Sequence, residues 1–156
     1  MLARQPLPGS SARMKFKHLA TELQDRYGSN AREVDTDHWV FEVLTEDQRS
    51  QVVHLLLKEF QANGQDVSRI VTDSPIGPLP PRYDLESLLR RNAELDVGAI
   101  CIEDFRNDEG DLVTYLTLRA SHLVSTAAFA DVWEMIEKVA RVADNLEKEI
   151  YARDIH

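Results

Sequence analysis

A single cysteine, Cys101, in 156 residues excludes an intrachain disulfide, and its setting between Val97 and Ile102 reads as a small apolar strand residue. No apolar run approaches the roughly 20 residues that a membrane-spanning helix needs. The longest, such as Leu55 to Leu57 and Gly98 to Ile102, end quickly. Arg4, Pro6, Pro8 and Gly9 stand where a secretory signal would require an unbroken apolar stretch, so a cytoplasmic location is the expectation. Basic residues are the minority, 18 against 27 acidic ones, for a formal charge of -9. That sign disfavours gripping nucleic acid or an anionic membrane. What is abundant is apolar side chain, 43% of the residues, enough to build one core and to argue against disorder.

The motifs of common chemistries are missing too. There is no Gly-x4-Gly-Lys-Ser/Thr and no Gly-x-Gly-x-x-Gly to wrap phosphates in backbone amides. His18, His38, His54, His122 and His156 are scattered, with no Cys-x-x-Cys or His-Glu-x-x-His to hold zinc. Asn107 to Asp111 mimics a calcium loop, yet placing Gly110 at the obligatory glycine puts Phe105 and Leu116 at ligand positions, so a polar turn is the better reading. Asp35 with Asp37, and Glu103 with Asp104, read as surface charge, because nothing nearby encloses a carboxyl pair. Ser74 lacks a nucleophile elbow. No metal, cofactor or catalytic residue is expected. An enzyme would have to assemble His54 or His122 with two acids in one pocket.

Periodicity gives the elements. Residues 1–13, with Pro6, Pro8 and Gly9, read as a flexible tail, and residues 14–156 as one domain. Phe16, Leu19, Ala20, Leu23 and Tyr27 make a helical stripe closed by Gly28. Trp39, Phe41 and Val43 alternate as a strand. Gln51 to Phe60 fits a helix or a strand buried on both faces, and Asn63-Gly64 decides for a hairpin with Val67 to Thr72, since both residues tolerate positive φ. Ser74 to Pro81, rich in proline, reads as a stiff connector. Asp84 caps a second helix carrying Leu85, Leu88, Leu89 and Leu95. Asn92 on its stripe is either a core amide satisfying backbone beside the next strand or a device that fixes a dimer interface. Val97 to Phe105 and Leu112 to Arg119 form a second hairpin. A long helix from Ser125 or Thr126 carries Phe129, Val132, Ile136, Val139, Ala143, Leu146 and Ile150 at spacings of three and four.

The expected class is therefore α+β: helix, three-stranded antiparallel meander, helix, β-hairpin, long carboxy-terminal helix. With the segments Trp39-Val40-Phe41-Glu42-Val43, Ser74-Pro75-Ile76-Gly77, Leu88-Leu89-Arg90-Arg91-Asn92 and Val97-Gly98-Ala99-Ile100, and the ending Val139 to Glu147, this order resembles the type III secretion chaperones and the related YbjN family, across about Lys15 to Ala152. The resemblance implies a non-catalytic, homodimeric protein- or peptide-binding module that escorts a client polypeptide, with a YbjN-like regulator or small-molecule sensor as the alternative. Candidate partner-binding residues are Phe16, Leu19 and Leu23 on the first helix and Val52, Leu56 and Phe60 on the second strand, unless both stripes face the core. The candidate dimer interface is Leu85, Leu88, Leu89 and Asn92. A small ligand would lie between the meander and the last helix near Trp39 and Trp133.

Overall fold

A computed structural model describes residues 8–152. Helix α1 (Pro8–Tyr27) opens the chain. It begins earlier than its stripe predicts, so residues 8–13 of the expected tail are helical, while residues 1–7 lie outside the described residues. Proline is tolerated in a first helical turn, where no intrahelical N–H partner is needed. Gly28 then turns the chain at φ +58, the left-handed conformation expected of the residue after a helix end.

Strands β1 (Ala31–Asp35), β2 (His38–Leu44), β3 (Ser50–Ala62) and β4 (Gln65–Pro78) follow as an antiparallel run. The region Gln51 to Phe60 is thus extended. Asn63 and Gly64 sit at φ 52 and φ 75, the positive pair a type I′ hairpin requires. Strand β1 was not expected; four of its five residues are exposed, so it lacks the apolar alternation that marks a strand.

The connector expected at Ser74 to Pro81 is corrected as well, because β4 runs through Pro78. Pairing of β3 with β4 stops at His54 and Asp73, just short of Pro75, which has no N–H to donate. Side chains then replace the ladder: Gln51 Nε2 donates to Pro75 O at 2.6 Å and to Ser74 Oγ at 3.2 Å, and Ser74 Oγ donates to Val52 O at 2.8 Å. On its other side β4 pairs with β6, with a register shift between Pro75 and Gly77.

Helix α2 (Leu85–Asn92) is capped by Asp84, which accepts from the N–H groups of Glu86 and Ser87. The hairpin β5 (Ala99–Arg106) and β6 (Leu112–Leu123) completes one six-stranded sheet in the order β1-β2-β3-β4-β6-β5. Helix α3 (Phe129–Tyr151) starts just after its predicted position. Its first turn is held by Asp131, which accepts from the N–H of Ala128 at 3.1 Å.

Register places Trp39, Phe41, Val43, Val53, Leu55, Leu57 and Ile70 on one face of the sheet. These join Phe16, Leu19 and Leu23 of α1 and Val132, Ile136, Val139, Leu146 and Ile150 of α3 in a single core. At about 1.5–3 kcal/mol for each large side chain removed from water, this contact is what holds the helices to the sheet. Among the described residues no helix lies on the opposite face.

Candidate functional site

The uncovered face is built from the alternate residues of the same strands. Across it, His54 on β3 stands opposite Asp73 on β4, and Asp73 opposite Arg119 on β6. Adjacent rows bring His38, Leu56, Pro75, Glu103 and Phe105 around the same point, enclosing a cavity of ≈ 270 Å³ whose rim includes Lys58. Val71 and Thr117, both buried, belong to the same face.

Two polar groups define this pocket. On one side His38 Nε2 and His54 Nδ1 lie 2.9 Å apart and share a hydrogen bond. Burial lowers the pKa of both imidazoles, and the charges of Arg32 and, for His54, of His38 add to it, whereas Asp35 opposes it at His38. The pair is therefore neutral at neutral pH and offers one donor and one acceptor to its surroundings. On the other side Arg119 Nη2 donates to both Asp73 Oδ2 and Glu103 Oε1. Burial pushes the Asp73 carboxyl up, outweighing the opposing pull of Arg119. Cys101, on the same face, has its thiol pKa raised chiefly by burial, which removes the thiolate character a nucleophile needs. At the mouth, Phe105 packs edge-on against Tyr115 with centroids 5.7 Å apart.

Among the described residues no cluster of three His, Cys, Asp or Glu side chains could hold a metal ion. A larger cavity of ≈ 540 Å³ lies between α2 and α3, but its charged lining is already paired, Arg91 with Glu94 and Glu149. Buried side-chain atoms without partners occur at both: Arg91 Nε at the larger cavity, and Asp73 Oδ1 and Arg119 Nε at the open-face pocket.

The expected site residues divide sharply. Phe16, Leu19 and Leu23 are buried in the core, so the α1 stripe offers a partner nothing; its apolar face is covered by α3 and the sheet. Val52, Leu56 and Phe60 do reach the uncovered face, with Val52 and Phe60 more than 40% exposed. In α2, Leu85 and Leu89 are exposed, Leu89 by 70%, whereas Leu88 is 7% exposed and belongs to the core. Asn92 bonds the backbone of the next strand, as its core-amide reading expects. Its Oδ1 accepts from Ile100 N at 2.7 Å, and its Nδ2 donates to Ile100 O. Beside it, Leu85, Leu89, Ile100 and Ile102 line a small recess of ≈ 130 Å³.

Trp39 is buried, and Trp133 is covered by the Arg26 guanidinium 4.1 Å from its ring; neither lines any of the cavities described here. The pocket residues His38, Asp73, Glu103 and Arg119 were not recognised from sequence. Of the two histidines that a site with two acids would need, His54 or His122, only His54 lines this pocket, where Asp73 and Glu103 stand near it. Among the described residues no helix is long and apolar enough to cross a membrane. No protein-family model matches the chain, and no curated protein matches it.

Proposed function

We propose that the chain is a non-catalytic binding module that holds an extended polypeptide on the uncovered face of its sheet and acts as a homodimer, in the manner of the type III secretion chaperones that its element order resembles. The observation that carries this reading is the one-sided sheet. All three helices contribute to a core on one face, while Val52, Leu56, Phe60 and Phe105 remain on the other. Apolar residues on a pleated surface suit a partner that supplies alternate side chains, as extended segments do. Binding fits the pocket better than acid–base chemistry: the imidazoles bond each other and the acids share Arg119, so neither His38 nor His54 is hydrogen-bonded to a carboxylate.

Leu85, Leu89 and Ile102 form an apolar surface at the β5 edge that suits a second copy. A lone free cysteine fits a reducing, cytoplasmic setting. The pocket, near the lower end of ligand-site volumes, favours a YbjN-like small-molecule regulator as the second reading. Substituting Phe60→Glu puts a charge on the open face without touching the core, so it should abolish capture of extended apolar peptides while leaving the thermal midpoint within about 2 °C. Undiminished peptide binding by this variant would refute the assignment of the face.

A further inference from the structure

We propose that the open-face pocket seats the guanidinium or ammonium tip of a basic side chain carried by the bound polypeptide, an inference that rests on reading this face as the peptide surface. Asp73, with only 8% of its side chain exposed, lines the pocket with one oxygen bonded to Arg119 and the other, Oδ1, short of a well-formed hydrogen bond, the Thr117 hydroxyl being its neighbouring donor. Glu103, a quarter exposed, stands beside it. Arg119 presents the same nitrogen, Nη2, to both acids. Two carboxylates therefore share one cation, and the trio has a net negative charge when both are ionised. A buried carboxylate oxygen short of donors is an unfavourable arrangement that an incoming N–H group relieves.

The rest of the lining fits the remainder of such a side chain. Leu56 and Pro75 offer apolar wall to its methylenes, and the half-exposed Phe105 ring at the mouth suits a cation over its face. The imidazole pair, kept neutral by burial, adds no repulsion. Lys58 and Arg119 in the same lining both work against a cation; Arg119 is offset by the two acids it bonds, whereas removing the Lys58 charge should favour the cation.

An array of random twelve-residue peptides probed with the full chain should yield binders enriched in arginine or lysine at one position. In the best arginine-containing binder, replacing that arginine by neutral citrulline should weaken binding roughly tenfold, the worth of a charge-assisted hydrogen bond. Glu103→Gln should weaken the arginine peptide and leave the citrulline peptide unchanged. Lys58→Met should tighten the arginine peptide. Glu109→Gln, in the β5–β6 turn, changes net charge equally and should alter neither. Equal binding of the two peptides, or an effect of Glu109→Gln as large as that of Glu103→Gln, overturns the cation seat and leaves the peptide surface standing. An array without binders overturns both.

Discussion

Asp144 and Asp73 are both buried carboxylates, and they act on stability with opposite sign. Asp144 accepts from Arg49 Nε at 2.7 Å and from Lys148 Nζ at 2.9 Å. Burial pulls its pKa up, but the hydrogen bonds from Lys148 and Arg49 outweigh it and hold the carboxyl below its ordinary value of 3.8. A depressed folded pKa gives stability that is complete above the unfolded value and lost as pH falls through the folded one. Asp144→Asn should therefore cost about 2–3 kcal/mol at pH 7, and the loss should shrink as pH falls below 3.8. Urea unfolding at pH 7 and at pH 3 measures both; equal stability of wild type and variant at pH 7 would contradict it. Asp73 has a raised folded pKa, so its contribution is complete below the unfolded value and erodes as pH rises through the folded one. A side chain that opposes stability at neutral pH is what the proposed binding role of Asp73 would require. Neither environment is visible in sequence, because Arg49 reaches Asp144 from the β2–β3 turn and Arg119 reaches Asp73 from across the sheet.

Elements were legible in proportion to how local their signal is. The α3 stripe and the Asn63-Gly64 turn each carry their own periodicity or backbone requirement, and both hold in the structure. Strand β1 has neither. Strand β4 misled for another reason: prolines argue against a strand only where a ladder needs their N–H, and here Gln51 and Ser74 side chains meet the backbone groups instead. The same distinction separates the site residues. Val52, Leu56 and Phe60 were placed by alternation alone, whereas the α1 stripe required knowing what covers it. Gly77 makes the end of β4 specific. A Cβ there would lie 2.5 Å from the Tyr151 hydroxyl oxygen and 2.6 Å from its ring, and that hydroxyl donates to Pro78 O, tying the end of α3 to the strand. Gly77→Ala should cost about 1–3 kcal/mol by overpacking, with part recovered in the Gly77→Ala, Tyr151→Ala double variant. Additive losses in chemical denaturation would show that the ring is not the obstacle.

At the scale of the whole molecule, one sheet separates a stabilising face from a free one. The helices supply the core, and the second face is the one proposed to bind. The exposed edge formed by α2 and β5 is the surface proposed for pairing two copies, and Leu89 rather than Leu88 is its probe. Leu88→Asp would damage the core, whereas Leu89→Asp should halve the mass seen by light scattering while preserving the circular dichroism spectrum. An unchanged mass, or a wild-type protein that is already monomeric, would contradict that interface. Amide chemical-shift mapping of the full chain with a bound extended peptide reports most directly on the free face. The predicted result is a contiguous set of shifts over Val52, Leu56, Asp73, Phe105 and Arg119; shifts confined to α1 and α3, with these residues silent, would contradict it.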